Sequence, residues 1–302
     1  PERTVPLYSA FVQDEIAVLP ERLSLTVGSK LEHNGYTGFE YQPSARIAWT
    51  PTAHQTVWAA VTRAVRTPSR VDVDLRLTSA AVAPGVYPRL IGSEDFESEV
   101  LLAYESGYRV QPTARLALDA AIFYQDYSNL RSIEPGLPFL EVSPGPPHMI
   151  APLYAANLLD GEAYGLELAV DWQGAPWWLV RGGYSLFQLN LEREPTSMDT
   201  IESSAEGEAP QNMAFVRSSM DLPGAVAVDL MLRYVDSVAA FDIDSYVELD
   251  ARVAWRPHER LELFVVGRNL LVARHEEYAA KYVSGVANEV ARSVYAGVTW
   301  RF

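Results

Sequence analysis

The chain contains no cysteine. Neither a disulfide framework nor a thiolate metal site can form in it. It also lacks any run of about 18 apolar residues, which excludes a helical membrane span. It has no excess of basic charge: 24 Lys and Arg stand against 39 Asp and Glu, a formal net charge of −15. A surface of that sign repels nucleic acid, so no nucleic-acid partner is expected. No motif recurs with a period of about 40–50 residues, as propeller blades would require. Histidine is scarce, with only His33, His54, His148, His258 and His275. No two of them stand at metal-ligand spacing. The segment "RHEEY" (274–278) lacks the second histidine of a zinc-protease helix and reads as solvated loop. "SSAEGEAP" (203–210) reads as an exposed acidic loop. No catalytic, cofactor-binding or metal residue is assigned, and no enzyme activity is expected. The chain opens "PERTVPLY", without Met or a signal-peptide pattern. A processed start, or a piece of something longer, is the expectation.

What the sequence does have is alternation. Val226, Val228, Leu230, Leu232 and Tyr234 share one face of a strand, with Asp229 and Arg233 on the other. Val247, Leu249, Ala251, Val253 and Trp255 alternate with Glu248, Asp250, Arg252 and Arg256. Tyr164, Leu166, Leu168, Val170 and Trp172 alternate with Gly165, Glu167 and Asp171. About thirteen such strands are expected, many of about ten residues, the length that crosses a bilayer when tilted. Short connections at 19–22, 51–55, 110–113, 174–176, 222–224 and 257–260 each contain proline, a turn former. Long ones cover roughly 33–43, 66–97, 128–161, 191–210, 236–245 and 272–291. Tight turns at one end and long loops at the other fit an antiparallel transmembrane β-barrel, turns periplasmic and loops outside.

Tryptophan tests this independently. Trp49, Trp58, Trp172, Trp177, Trp178 and Trp255 all lie near short turns, and Trp300 near the C-terminus. All seven map to one rim, where an indole ring sits half in lipid. The last strand ends "RSVYAGVTWRF", with Val294, Val298 and Trp300 on one face and Phe302 last. This pattern resembles the C-terminal assembly signal of bacterial outer-membrane proteins, which implies recognition by the barrel-assembly machinery. Parity then puts the N-terminus outside, and an odd strand count implies a larger barrel, since single-chain bacterial barrels have even counts.

Several stretches together carry a family resemblance: "SAFVQDEI" (9–16), "GFEYQPSARIAW" (38–49), "WAAVTRAVRTPSR" (58–70), "FESEVLLAYESGYR" (96–109), "YGLELAVDW" (164–172), "VVGRNLL" (265–271) and "RHEEY". In order and spacing they resemble the C-terminal part of a TonB-dependent receptor. The resemblance implies a barrel of about 22 strands. Residues 1–302 would form its C-terminal part, a fragment without the plug domain and roughly nine first strands. It implies the outer membrane of a Gram-negative bacterium. It implies active uptake of a ferric siderophore or similar scarce nutrient, with the plug, the TonB complex, the bilayer and lipopolysaccharide as partners. No cofactor is implied. The alternatives are a porin-like or other complete smaller barrel, and a soluble all-β binding module or enzyme.

Within that reading, Arg63, Arg66 and Arg70 are ligand-contact candidates, facing the lumen near the outer mouth to attract an anion. The competing reading pairs them with lumenal carboxylates such as Glu99 and Glu105. Tyr36, Phe39, Tyr41 and Tyr87 are aromatic candidates for stacking on ligand, or for packing their loops together.

Overall fold

The computed structural model describes residues 4–278 and 288–302. The first three residues and 279–287 of the last long connection lie outside the described residues. In chain order the strands are β1 (Leu7–Leu19), β2 (Leu23–Asn34), β3 (Gly38–Thr52), β4 (Gln55–Arg66), β5 (Arg76–Thr78) and β6 (Val86–Ile91). There follow β7 (Glu99–Thr113), β8 (Leu116–Pro135), β9 (Phe139–Glu141), β10 (His148–Ala175), β11 (Trp178–Arg193) and β12 (Asn212–Leu222). The last are β13 (Val226–Val235), β14 (Tyr246–His258), β15 (Leu261–Arg268), β16 (Arg274–Tyr278), β17 (Asn288–Ala291) and β18 (Ser293–Trp300). A five-residue helix, α1 (Arg70–Asp74), lies between β4 and β5.

Thirteen of the strands form one wall, each antiparallel to its neighbour, in the order β1-β2-β3-β4-β7-β8-β10-β11-β12-β13-β14-β15-β18. Among the described residues nothing pairs β1 with β18, so the wall is an open part of a barrel. The remaining strands sit at its loop end. β6 runs parallel to the outer part of β10, β5 pairs with β6, and β9 pairs with β10. β16 and β17 form a separate hairpin.

Two faces follow from the register. Ile47, Val61, Ile122, Leu168, Val216, Leu230, Val253, Val265 and Val298 share one face across nine strands, each 37–67 % exposed. That exposure is natural only where the neighbouring medium is lipid. The opposite face carries cross-strand ion pairs: Arg109–Asp119 at 2.5 Å, Arg181–Asp171 at 3.1 Å and Arg217–Asp229 at 3.3 Å. The last continues through Arg252 to Glu262 at 2.6 Å and on to Arg256. This is the lumen. A single sheet layer has no second layer to pack on, so the residues buried by the protein itself gather mainly at the loop end. There Val73, Phe96 and Ala155 form a small core with Tyr36 against it.

Trp49, Trp172, Trp178, Trp255 and Trp300 lie on the lipid face at the turn end, and Trp177 lies in a turn stacked on Trp178. Tyr41 and Tyr164 share the face of Trp49 and Trp172, eight residues further along each strand. Eight residues span about 26 Å at a strand's rise, the scale of an apolar band between two aromatic girdles. Trp58 departs from the expected rim. It stands at the same height but on the lumenal face, opposite Gly107 and under the Arg46 guanidinium at 5.2 Å. A Cβ on Gly107 would meet the Trp58 ring at 2.5 Å, which accounts for the glycine in the 96–109 stretch. Gly165, in the 164–172 stretch, likewise lies under Phe123, where a Cβ would fall 2.5 Å from the ring.

The loops are shorter than the sequence suggests. The expected connection 33–43 is a three-residue turn, because the Asn34 Oδ1 accepts from Tyr36 N and Thr37 N, both at 2.9 Å. Much of 128–161 is strand, since β8 and β10 run on beyond the band.

Candidate functional site at the outer mouth

The lumenal face of β4 ends on Arg66. The chain then turns through "TPS" into α1, capped by Ser69 in a capping box with Asp72. The Asp72 carboxylate is 1 % exposed. Its Oδ2 accepts from Ser69 N at 2.9 Å and Ser69 Oγ at 2.8 Å, and lies 3.3 Å from Arg66 Nη1. Arg131 Nη1 lies 3.5 Å from Oδ1. Burial alone would raise the Asp72 pKa; the Ser69 hydrogen bonds and the two arginine charges outweigh it and hold the carboxyl below its ordinary value. Arg66 also clasps Glu99 through Nε and Nη2, and Arg131 Nη2 reaches Glu202 at 2.8 Å.

Arg66 and Arg131 thus share one buried carboxylate and look into a cavity of about 460 Å³. Its other wall is apolar, built from Leu159, Phe187, Leu189 and Leu191, with Tyr127 beside them. Both guanidiniums are already paired, with Glu99, Asp72 and Glu202. An anion could engage either guanidinium only by exchange with these carboxylates.

The other candidates fall elsewhere. Arg63 is three residues from Arg66 on one strand and so lies on the lipid-side face with Val61 and Val65. Its guanidinium stacks 4.5 Å over the Tyr41 ring and donates to the Tyr41 carbonyl, not to a lumenal group. Arg63 and Tyr41 therefore leave the lumenal set. Arg70 pairs with Asp74 along α1 at 3.3 Å. Tyr36 packs on the Val73–Phe96 core. Phe39 is 83 % exposed and meets His33 edge-on. Tyr87 meets His148 edge-on at 5.2 Å in the cap. Of the seven, only Arg66 lines the cavity.

"RHEEY" is not solvated throughout. The His275 side chain is 9 % exposed and its ring stacks on Tyr246 with centroids 4.0 Å apart. Its Nε2 meets Glu277 Oε1 at 3.1 Å. Glu248, His275 and Glu277 offer ligand atoms within 4.8 Å of one another. Arg233 already fills that space, bound to both carboxylates. A metal ion would have to expel it, so the trio is an ion-pair cluster that fastens β16 to the wall.

At the C-terminal edge, Val294, Val298 and Trp300 face Gly267, Leu263 and Leu261 of β15, and Phe302 projects beyond, fully exposed.

A charged lumen, an apolar belt between aromatic girdles and a knitted loop cap define the wall of an outer-membrane β-barrel. The family model "TonB dependent receptor-like, beta-barrel" matches residues 1–270, and the chain belongs to this family. It is a family of outer-membrane receptors of Gram-negative bacteria, not one of enzymes. The ferric enterobactin receptor PfeA of Pseudomonas aeruginosa superposes with a TM-score of 0.74 at 17% identity, over 99% of this chain and 45% of that one. The siderophore receptor PirA of Acinetobacter baumannii gives 0.75 at 13% identity, over 99% and 46%. In sequence, the iron-regulated outer membrane virulence protein of Vibrio cholerae serotype O1 is 25% identical over 165 residues, 54% of this chain and 24% of that protein. The chain thus spans less than half the length of these similar structures.

Proposed function

We propose that this chain forms the C-terminal wall and mouth of a longer receptor that takes up a ferric siderophore or a similar scarce nutrient. The observation that carries the reading is the Arg66–Arg131 cavity at the loop end of a barrel wall. Its cations suit an anionic ligand and its apolar side suits the body of an organic chelate. The similar PfeA structures include one in complex with enterobactin, which supports this ligand class. In this reading the siderophore supplies the iron ligands, so the protein needs none.

The open edges of β1 and β18 suit closure by further strands of the same receptor. Glu105 and Glu167 suit a plug domain. They stand on the lumenal face of β7 and β10, with Phe123 and Ala121 of β8 between them in register. Neither makes a side-chain ion pair or hydrogen bond among the described residues, so both are free to receive cationic side chains from within the barrel. Energy would come from the TonB complex through the plug. Assembly would use the C-terminal strand, and lipopolysaccharide would contact the lipid face.

The test is uptake of radio-iron presented as ferric enterobactin by cells carrying the complete receptor. Arg66→Gln with Arg131→Gln should lower uptake by about tenfold or more, two lost charge-assisted contacts, at unchanged surface level. Unchanged uptake by the double variant would remove the cavity from the transport path.

A further inference from the structure

The cap above the wall holds a second histidine–glutamate contact, and its hydrogen-bond pattern differs from that of His275. His148 stands at the start of β10. Its Nδ1 lies 3.0 Å from the carbonyl oxygen of Pro146, and its Nε2 lies 3.0 Å from Glu141 Oε2 on β9. A carbonyl oxygen can only accept. Glu141 can only accept as well, because Arg89 of β6 grips both its oxygens, Nη1 to Oε1 at 2.8 Å and Nη2 to Oε2 at 2.6 Å. The Arg89 hydrogen bonds, opposed by burial and aided by His148, draw the Glu141 pKa down to about 2. A neutral imidazole has one N–H, so one ring nitrogen would point a lone pair at an oxygen lone pair. Only the imidazolium satisfies both contacts.

We propose that His148 fastens the 136–147 loop to the start of β10 as an imidazolium, making that closure sensitive to external pH. The groups facing it are Glu141 and the Pro146 carbonyl, with Tyr87 edge-on and Arg89 across the shared carboxylate. Arg89 Nε also donates to Thr78 Oγ1 at 2.8 Å, so β5, β6, β9 and β10 meet in one knot. The knot bears on the mouth cavity through the backbone, since Ser93 N donates to the Asp72 carbonyl and Gly92 N to that of Leu75. With the ring charged, the 136–147 tip is fastened to β10. Loss of one ring proton removes one of the two contacts and loosens the 136–147 tip, while the Arg89–Glu141 pair remains. At His275, by contrast, Nδ1 is buried without a hydrogen-bond partner.

These 302 residues hold no cysteine, so Ser143→Cys gives a single attachment point within them for a nitroxide at the tip. Electron paramagnetic resonance line shapes would be recorded in native outer membranes from pH 5 to 8.5. The mobile fraction should about double between the acid and alkaline ends of that series. With His148→Phe added, the same label should be mobile at every pH. A label at Ser237, in a different loop, should not respond. A line shape from the tip label that is flat with pH in the parent, or an equal pH response in His148→Phe, would overturn the proposal.

Discussion

The two faces of β13 make the most instructive contrast in the molecule. Leu230 and Leu232 look outward with no partner but lipid, while Asp229 and Arg233, one residue away, are held by Arg217, Arg252 and Glu248. The outer face needs only to be apolar, because hydrocarbon offers nothing to specify a partner. The lumenal face is polar, and there its charges must find one another or wait for a guest. Identity is therefore loose on one side and relational on the other. The same division separates wall from cap: the wall is one layer between two media, and the cap builds its own small core.

The contrast can be broken most forcefully from outside. Leu230→Arg puts a charge midway between the girdles on the lipid face. It should cost about 2–4 kcal/mol, read as loss of folded barrel in lipid vesicles, whereas arginine at the neighbouring lumenal Met231 should be far milder. At the mouth, Asp72→Asn should loosen α1 by about 1–2 kcal/mol, as a cap and two ion pairs to partly exposed arginines weaken together. Hydrogen exchange of residues 70–74 would report it. Acid should mimic the change. The folded pKa of Asp72 is depressed, so its contribution is fully present above the unfolded value of 3.8 and is lost as pH falls through the lower folded value. Loosening already at pH 5 would contradict this. The smallest effect belongs to the lumenal carboxylates without partners. Glu105→Gln with Glu167→Gln should leave the stability of the wall within about 0.5 kcal/mol, measured by denaturant melts. A large loss would mean that the two carboxylates already serve the wall itself.

Much of the wall was legible in the sequence. Period-two alternation and proline-bearing turns mark its thirteen strands, because lipid on one side imposes a uniform face. The lumen was partly legible. Arg63 and Arg66 are an odd number of residues apart on one strand, and that parity alone separates their faces. Arg131 was missed because β8 is irregular at Asn129, whose φ is +58°, and the pairing with β10 shifts there. Beyond that point alternation no longer tells which way a side chain faces. The cap was missed for another reason. β5 and β9 are three residues each, and β6 pairs with β10 some sixty residues away. Neither length nor period marks such segments. The burial of His275 depends on Tyr246, a contact between elements that nothing local announces.

The most direct test of the central claim is an immunoblot of the host's outer-membrane fraction with an antibody to the C-terminal strand, samples run boiled and unboiled. The account predicts a band far above 33.5 kDa whose mobility changes on boiling. A band at 33.5 kDa in the soluble fraction would contradict it.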